Sequence, residues 1–137
     1  METGFALGAH EVLQVGDIVE VKFHGSLNRA DAVVLHDRLA QVYGENGGGF
    51  LLADMADLST IEADARRYMG EWNRTHPLSG AVMYGASFAT RTIATLALKV
   101  ARLMGNEQTE VVFLKNEAEA RRWIAARREA LGPRGRA

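Results

Sequence analysis

Two aspartates, Asp54 and Asp57, follow a short apolar run, and two hydroxyl residues, Ser59 and Thr60, come directly after them. Open α/β sheets place ligands at the carboxyl ends of their strands, so position alone makes these residues candidates for binding. A carboxylate pair of this spacing suits Mg²⁺ or a shared proton, although Mg²⁺ held by so few protein ligands normally relies on a phosphate substrate. A structural role is favoured, with Asp57 capping turn amides and Asp54 closing a strand. A phosphate on Ser59 or Thr60 would meet the free amides and dipole of a following helix. Here too the structural role is favoured: Ser59 as an N-cap with Glu62 completing a capping box.

The other reactive side chains give little chemistry. His10, His24, His36 and His76 have no i, i+4 partner among themselves and no H-E-x-x-H pattern, so no metal site is expected. His24 falls at a strand end within reach of the Asp54 turn and forms the one acid/base pair the spacing suggests, with a hydrogen-bonded structural histidine the favoured reading. The turn "YGASFATR", Tyr84 to Arg91, is a generic anion cradle but neither a P-loop nor G-x-G-x-x-G; Ser87 reads as a helix cap. There is no G-x-S-x-G elbow and no cysteine, which removes serine-hydrolase, thiolate and disulfide chemistry and fits a cytoplasmic setting. No enzyme and no cofactor are expected.

The elements that must position these residues follow from periodicity. "HEVLQV" and "DIVEVKF" alternate apolar and polar residues across Gly16 and predict an antiparallel strand pair. Asn28 caps a helix with Ala32, Leu35, Leu39 and Val42 on one face, ended by "GENGGG". "FLLADM" is a doubly buried strand; a helix from Ser59 carries Ile61, Ala65, Tyr68, Met69 and Trp72 until Pro77. "GAVMY" and "EVVFL" are further strands, Ser87 to Met104 a long helix, and Asn116 with Glu119 caps a last helix ending at Gly132. The alternation predicts one α/β domain over 1–137, core about 10–131 and a loose tail after it, with a mixed, mostly parallel sheet of about five strands and about four helices.

Composition narrows the function classes. The chain has 137 residues, 47% of them hydrophobic and 24% charged, with a formal net charge of -1. That balance gives no global positive field for nucleic acid, and no apolar run approaches the ~18 residues a membrane span needs. The N-terminal "METGFALGAHEV" carries acids where a secretory signal is basic. The helix "FATRTIATLALKVARLMG" is apolar round more than half its circumference, with Leu96, Val100 and Met104 on one side and Leu98 widening the stripe, whereas packing on one sheet needs only ~100°. The excess calls for a second apolar neighbour: a helix of the same domain, another protomer, a protein partner or a lipid-like ligand.

Three stretches, "FLLADMADLSTIEADARRYMGEW", "HPLSGAVMYGAS" and "VVFLKNEAEARRWI", together resemble the STAS / SpoIIAA-like superfamily, the fold of bacterial anti-anti-sigma factors. The nearest likeness is to its stand-alone branch, which relates STAS domains to CRAL-TRIO lipid-binding domains. The resemblance runs from about Asp17 to Leu131 and implies a SpoIIAA-like fold. Phosphorylatable members carry an Asp-Ser-Ser-Gly-like stretch at the start of the helix after this loop, where the present chain has Asp64, Ala65, Arg66 and Arg67, so the usual phosphoserine switch is expected to be absent. The resemblance implies a non-catalytic regulatory module that binds a protein partner or itself, with a homodimer expected from the wide apolar helix. The alternative is a small hydrophobic-ligand or membrane-surface binder. The binding residues on either reading are Asp54, Asp57, Ser59, Thr60, Asp64, Ser87, Leu98 and Met104.

Overall fold

The computed structural model describes residues 2–92, 95 and 110–132. Three strands open the chain: β1 (Glu2–Leu7), β2 (His10–Val15) and β3 (Ile18–Leu27). They are joined by two-residue loops, each led by a glycine at positive φ, Gly8 at 55° and Gly16 at 60°. Such loops match the right-handed twist of antiparallel strands, which is why these hairpins close so tightly. Helix α1 (Arg29–Asn46) follows, then β4 (Phe50–Ile61), α2 (Ala63–Thr75), β5 (Gly80–Tyr84), a helical segment at 88–92, β6 (Val111–Leu114) and α3 (Glu117–Leu131). The strands lie in the order β1-β2-β3-β4-β5-β6, antiparallel through β3 and parallel from β3 to β6.

The mixed, mostly parallel α/β sheet agrees with the sequence, with one more strand than expected. β1 lies before residue 10, where the expected core began. Its Leu7 is 2% exposed and its Phe5 ring lies 4.4 Å under the Arg38 guanidinium, so it packs against α1.

Period-two alternation sorts the sheet into two faces. On one, Val19, Val21, Leu51 and Ala53 pack under Leu35, Leu39 and Val42 of α1. On the other, Phe50, Leu52 and Val82 pack against Ala120, Trp123 and Ile124 of α3. The run "FLLA" is therefore buried on both sides, as a central parallel strand should be. Helix α2 rests mainly on α1, where the rings of His36 and Trp72 meet edge-on at 4.8 Å and Trp72 stacks on His76 at 4.5 Å.

The helix starts are local decisions. Asn28 accepts from the Asp31 N–H at 2.8 Å, and Asn116 from the Glu119 N–H at 3.0 Å. Ser87 accepts from the Thr90 N–H at 3.1 Å and opens the segment at 88–92. The capping box at Ser59 does not form: β4 continues to Ile61, the N-cap of α2 is Glu62 without a side-chain bond, and the Glu62 N–H is taken by Leu27 O at 2.9 Å. Thr60 and Ile61 are β-branched and prefer extended backbone, and pairing with Ser26 and Leu27 outweighs the local cap. Leu98 and Met104, with most of the helix expected around them, lie outside the described residues.

Candidate functional site

β3 and β4 are longer than their neighbours. β2 pairs with β3 only as far as Glu11↔Lys22, and β5 with β4 only as far as Asp54↔Tyr84. Beyond those points β3 and β4 continue together as a two-stranded ribbon, His24↔Asp57 to Leu27↔Ile61. Leu58 and Leu27 point inward and are buried, while Asp57, Ser59 and Thr60 are exposed.

At the base of the ribbon His24 sits between two carboxylates. Its Nδ1 lies 2.8 Å from Asp57 Oδ2 and its Nε2 2.6 Å from Glu11 Oε2. A neutral imidazole carries one N–H, so only the imidazolium donates to both acids at once. The bonds to Asp57, first, and Glu11 raise the His24 pKa above its ordinary 6.5. The backbone N–H of His24 donates to His10 Nδ1 at 2.9 Å. That assigns the neutral His10 proton to Nε2, which faces Asp31 Oδ2 at 3.7 Å; burial lowers the His10 pKa against the pull of Asp31.

A cavity of about 360 Å³ opens beside this cluster, floored by Leu13, Leu52 and Tyr84 and rimmed by Glu11, Glu20, Lys22 and Glu117. Arg121 ties its α3 side down: it grips Glu20 with Nη1 at 3.3 Å and Nη2 at 2.7 Å and donates from Nε to Glu117 at 2.8 Å. This guanidinium keeps the Glu117 carboxyl below its usual range. Burial, then Asp54 and Glu117, push the Tyr84 hydroxyl up to about 12, so it remains a donor. Among the described residues Lys22 has no ion pair, and no three His, Asp or Glu side chains are grouped to hold a metal.

The expected residues distribute around this ribbon. Asp54 accepts from the Ala56 N–H at 3.0 Å but does not close the strand as expected, because β4 runs on past it to Ile61 in pairing with β3. Asp57 bonds His24 instead of turn amides, so the histidine's acid is Asp57 and not the Asp54 turn. Ser59 and Thr60 are exposed on β4, Asp64 is exposed in the first turn of α2, and Ser87 caps the segment after β5. That turn lies close to the ribbon: a Cβ on Gly85 would stand 3.4 Å from Ala56 Cβ. Glu11, Lys22, Tyr84 and Arg121 were not anticipated. The alternation in "EVKFH" does place Glu20, Lys22 and His24 apart from Val21 and Phe23, so the polar stripe itself was visible.

No family model and no curated protein matches the sequence. Solved structures do match in shape, among them these two. SpoIIAA, described as an anti-sigma factor antagonist in its unphosphorylated form, is 10% identical; the match covers 86% of this chain and 98% of that one, with a TM-score of 0.56. An uncharacterized DUF3478-family protein from Shewanella loihica with a SpoIIAA-like fold is 13% identical, covering 90% and 94%, with a TM-score of 0.58. Strand order, helix placement and these matches together establish that the chain has the SpoIIAA-like, STAS-type fold.

Proposed function

We propose that the chain is a non-catalytic regulatory module of STAS type that binds a protein partner, or a second copy of itself, through the projecting end of β3 and β4 and the start of α2. The carrying observation is that ribbon, which runs past the sheet and holds Asp57, Ser59 and Thr60 outward on a buried Leu27–Leu58 base. SpoIIAA, which shares the fold, is an anti-sigma factor antagonist and so acts on another protein. Asp64 is exposed in the first turn of α2, and Ser87 follows the Gly85 turn that lies against Ala56 of β4. Phe88, 80% exposed in the helical segment at 88–92, supports an apolar contact there, a homodimer seam included, and Leu98 and Met104 are kept as contact residues on the sequence reading alone. The first turn of α2 bears no hydroxyl, in keeping with a module that works without the usual phosphoserine switch, and a cytoplasmic setting belongs to the same reading.

A second reading is favoured by the cavity, whose volume falls in the range of small-ligand pockets. Its charged rim suits a polar molecule better than the lipid-like ligand anticipated, and the described helices include none long and apolar enough to cross a membrane.

Native mass spectrometry of protein isolated gently from its own cells separates the readings. The proposal expects the mass of the chain plus that of a second polypeptide, or twice the chain. A bare chain, or a chain carrying only a small molecule that denaturation releases, overturns it.

A further inference from the structure

We propose that His24 is a proton-operated latch that fixes the end of β3 and β4, so that its protonation sets where Ser59 and Thr60 stand. What the ribbon end is for rests on the reading above; the latch itself is a property of the isolated chain.

Beyond the last pairs with β2 and β5 the ribbon has only two strands, and a two-stranded segment is marginally stable in water without further support. Its register is also irregular at this place, slipping between Lys22 and His24 and again between Gly25 and Ser26. Backbone pairing is therefore weakest where the ribbon leaves the sheet. The imidazolium spans that place from side to side, joining Glu11 at the end of the β2 ladder to Asp57 on β4, two residues before Ser59. Both bonds are short and charge-assisted, the strong class of hydrogen bond.

Deprotonation removes one of the two N–H donors. A carboxylate cannot supply the missing proton, so one of the two bonds must be given up and either β2 or β4 is released from the bridge. The groups that set the response come from each element around the ring: Glu11 and His10 from β2, Lys22 from β3 itself, Asp54 and Asp57 from β4, and Asp31 of α1 behind His10. Glu117 of α3 acts on Lys22 at the far side of the cavity. The two carboxylates in contact outweigh desolvation and raise the ring's pKa above its ordinary 6.5.

The test is a histidine NMR titration of the full chain from about pH 5 to 9, following the His24 ring and the backbone amides of Ser59 and Thr60 in the same samples. The expected result is a ring midpoint above 6.5 and amide shifts at Ser59 and Thr60 with that same midpoint. In D57N and in E11Q the midpoint falls, because each removes one of the two carboxylates that hold the proton. In H24Q the amide response disappears. A midpoint at or below 6.5, or amides of Ser59 and Thr60 that ignore it, overturns the latch. D57N and E11Q keep the test decisive where H24Q fails to fold. A ribbon that titrates as expected but has no protein partner would sink the partner reading and leave the latch intact.

Discussion

His24 and His36 respond to acid in opposite senses, and the difference is one of environment. Partly exposed His24 gains two carboxylate partners on folding, so its folded pKa lies above the unfolded 6.5. Its contribution is complete below 6.5 and is lost as pH rises through the folded value. His36 is 3% exposed between Tyr68 and Trp72, and its Nδ1 donates to Ala32 O at 2.7 Å. Burial lowers its pKa to about 4, so the native state keeps it neutral while the unfolded chain takes up a proton below 6.5. Stability is then lost as pH falls from 6.5 toward 4, by on the order of 2–3 kcal/mol over that window. Thermal melts between those limits should fall steeply for the native protein and more gently for H36F, which keeps the ring packing; parallel curves would contradict the assignment. The sequence revealed His24 as the histidine worth attention but not Asp57 as its partner, because their pairing depends on β4 staying extended past Asp54. It gave no sign that His36 is the most deeply buried of the four, since a histidine beside Leu35 on a helix reads equally as surface.

Elements were legible where one local signal acted alone. Asn28 and Asn116 cap as their positions suggested, and N28A should cost about 1 kcal/mol in denaturant unfolding. An unchanged midpoint would mean that Asn28 does not hold the start of α1. Legibility failed at Ser59, where a good capping box competed with pairing to β3 and lost, a non-local contact that no window of sequence contains. It failed again at β1, whose alternation is interrupted by Gly4 and whose burial comes from α1 rather than from its own pattern. The seat of α3 is set by a glycine. A Cβ on Gly80 would fall 2.7 Å from the Trp123 ring and 3.3 Å from Phe50. G80A should therefore displace the indole and cost about 1–3 kcal/mol. Trp123 emission, read in a W72F background, should shift; unchanged emission and stability would mean that α3 is not seated there.

At the scale of the whole molecule the fold was the clearest message of the chain, because strand and helix periods alternate from Asp17 to Leu131 and short connections leave few topologies. Which surface acts was far less legible. It is made where four strands end at different heights, so that Glu11, His24, Asp57 and the outward Ser59 and Thr60 meet only after the sheet has assembled. The central claim is that this projecting end meets a protein partner, and site-directed photo-crosslinking tests it most directly. With a photoreactive side chain at Thr60, and the same group at exposed Gln41 on α1 as the control, the account predicts one discrete protein adduct in living cells from Thr60 and none from Gln41. Equal yields from the two positions, or no adduct from Thr60, would contradict it.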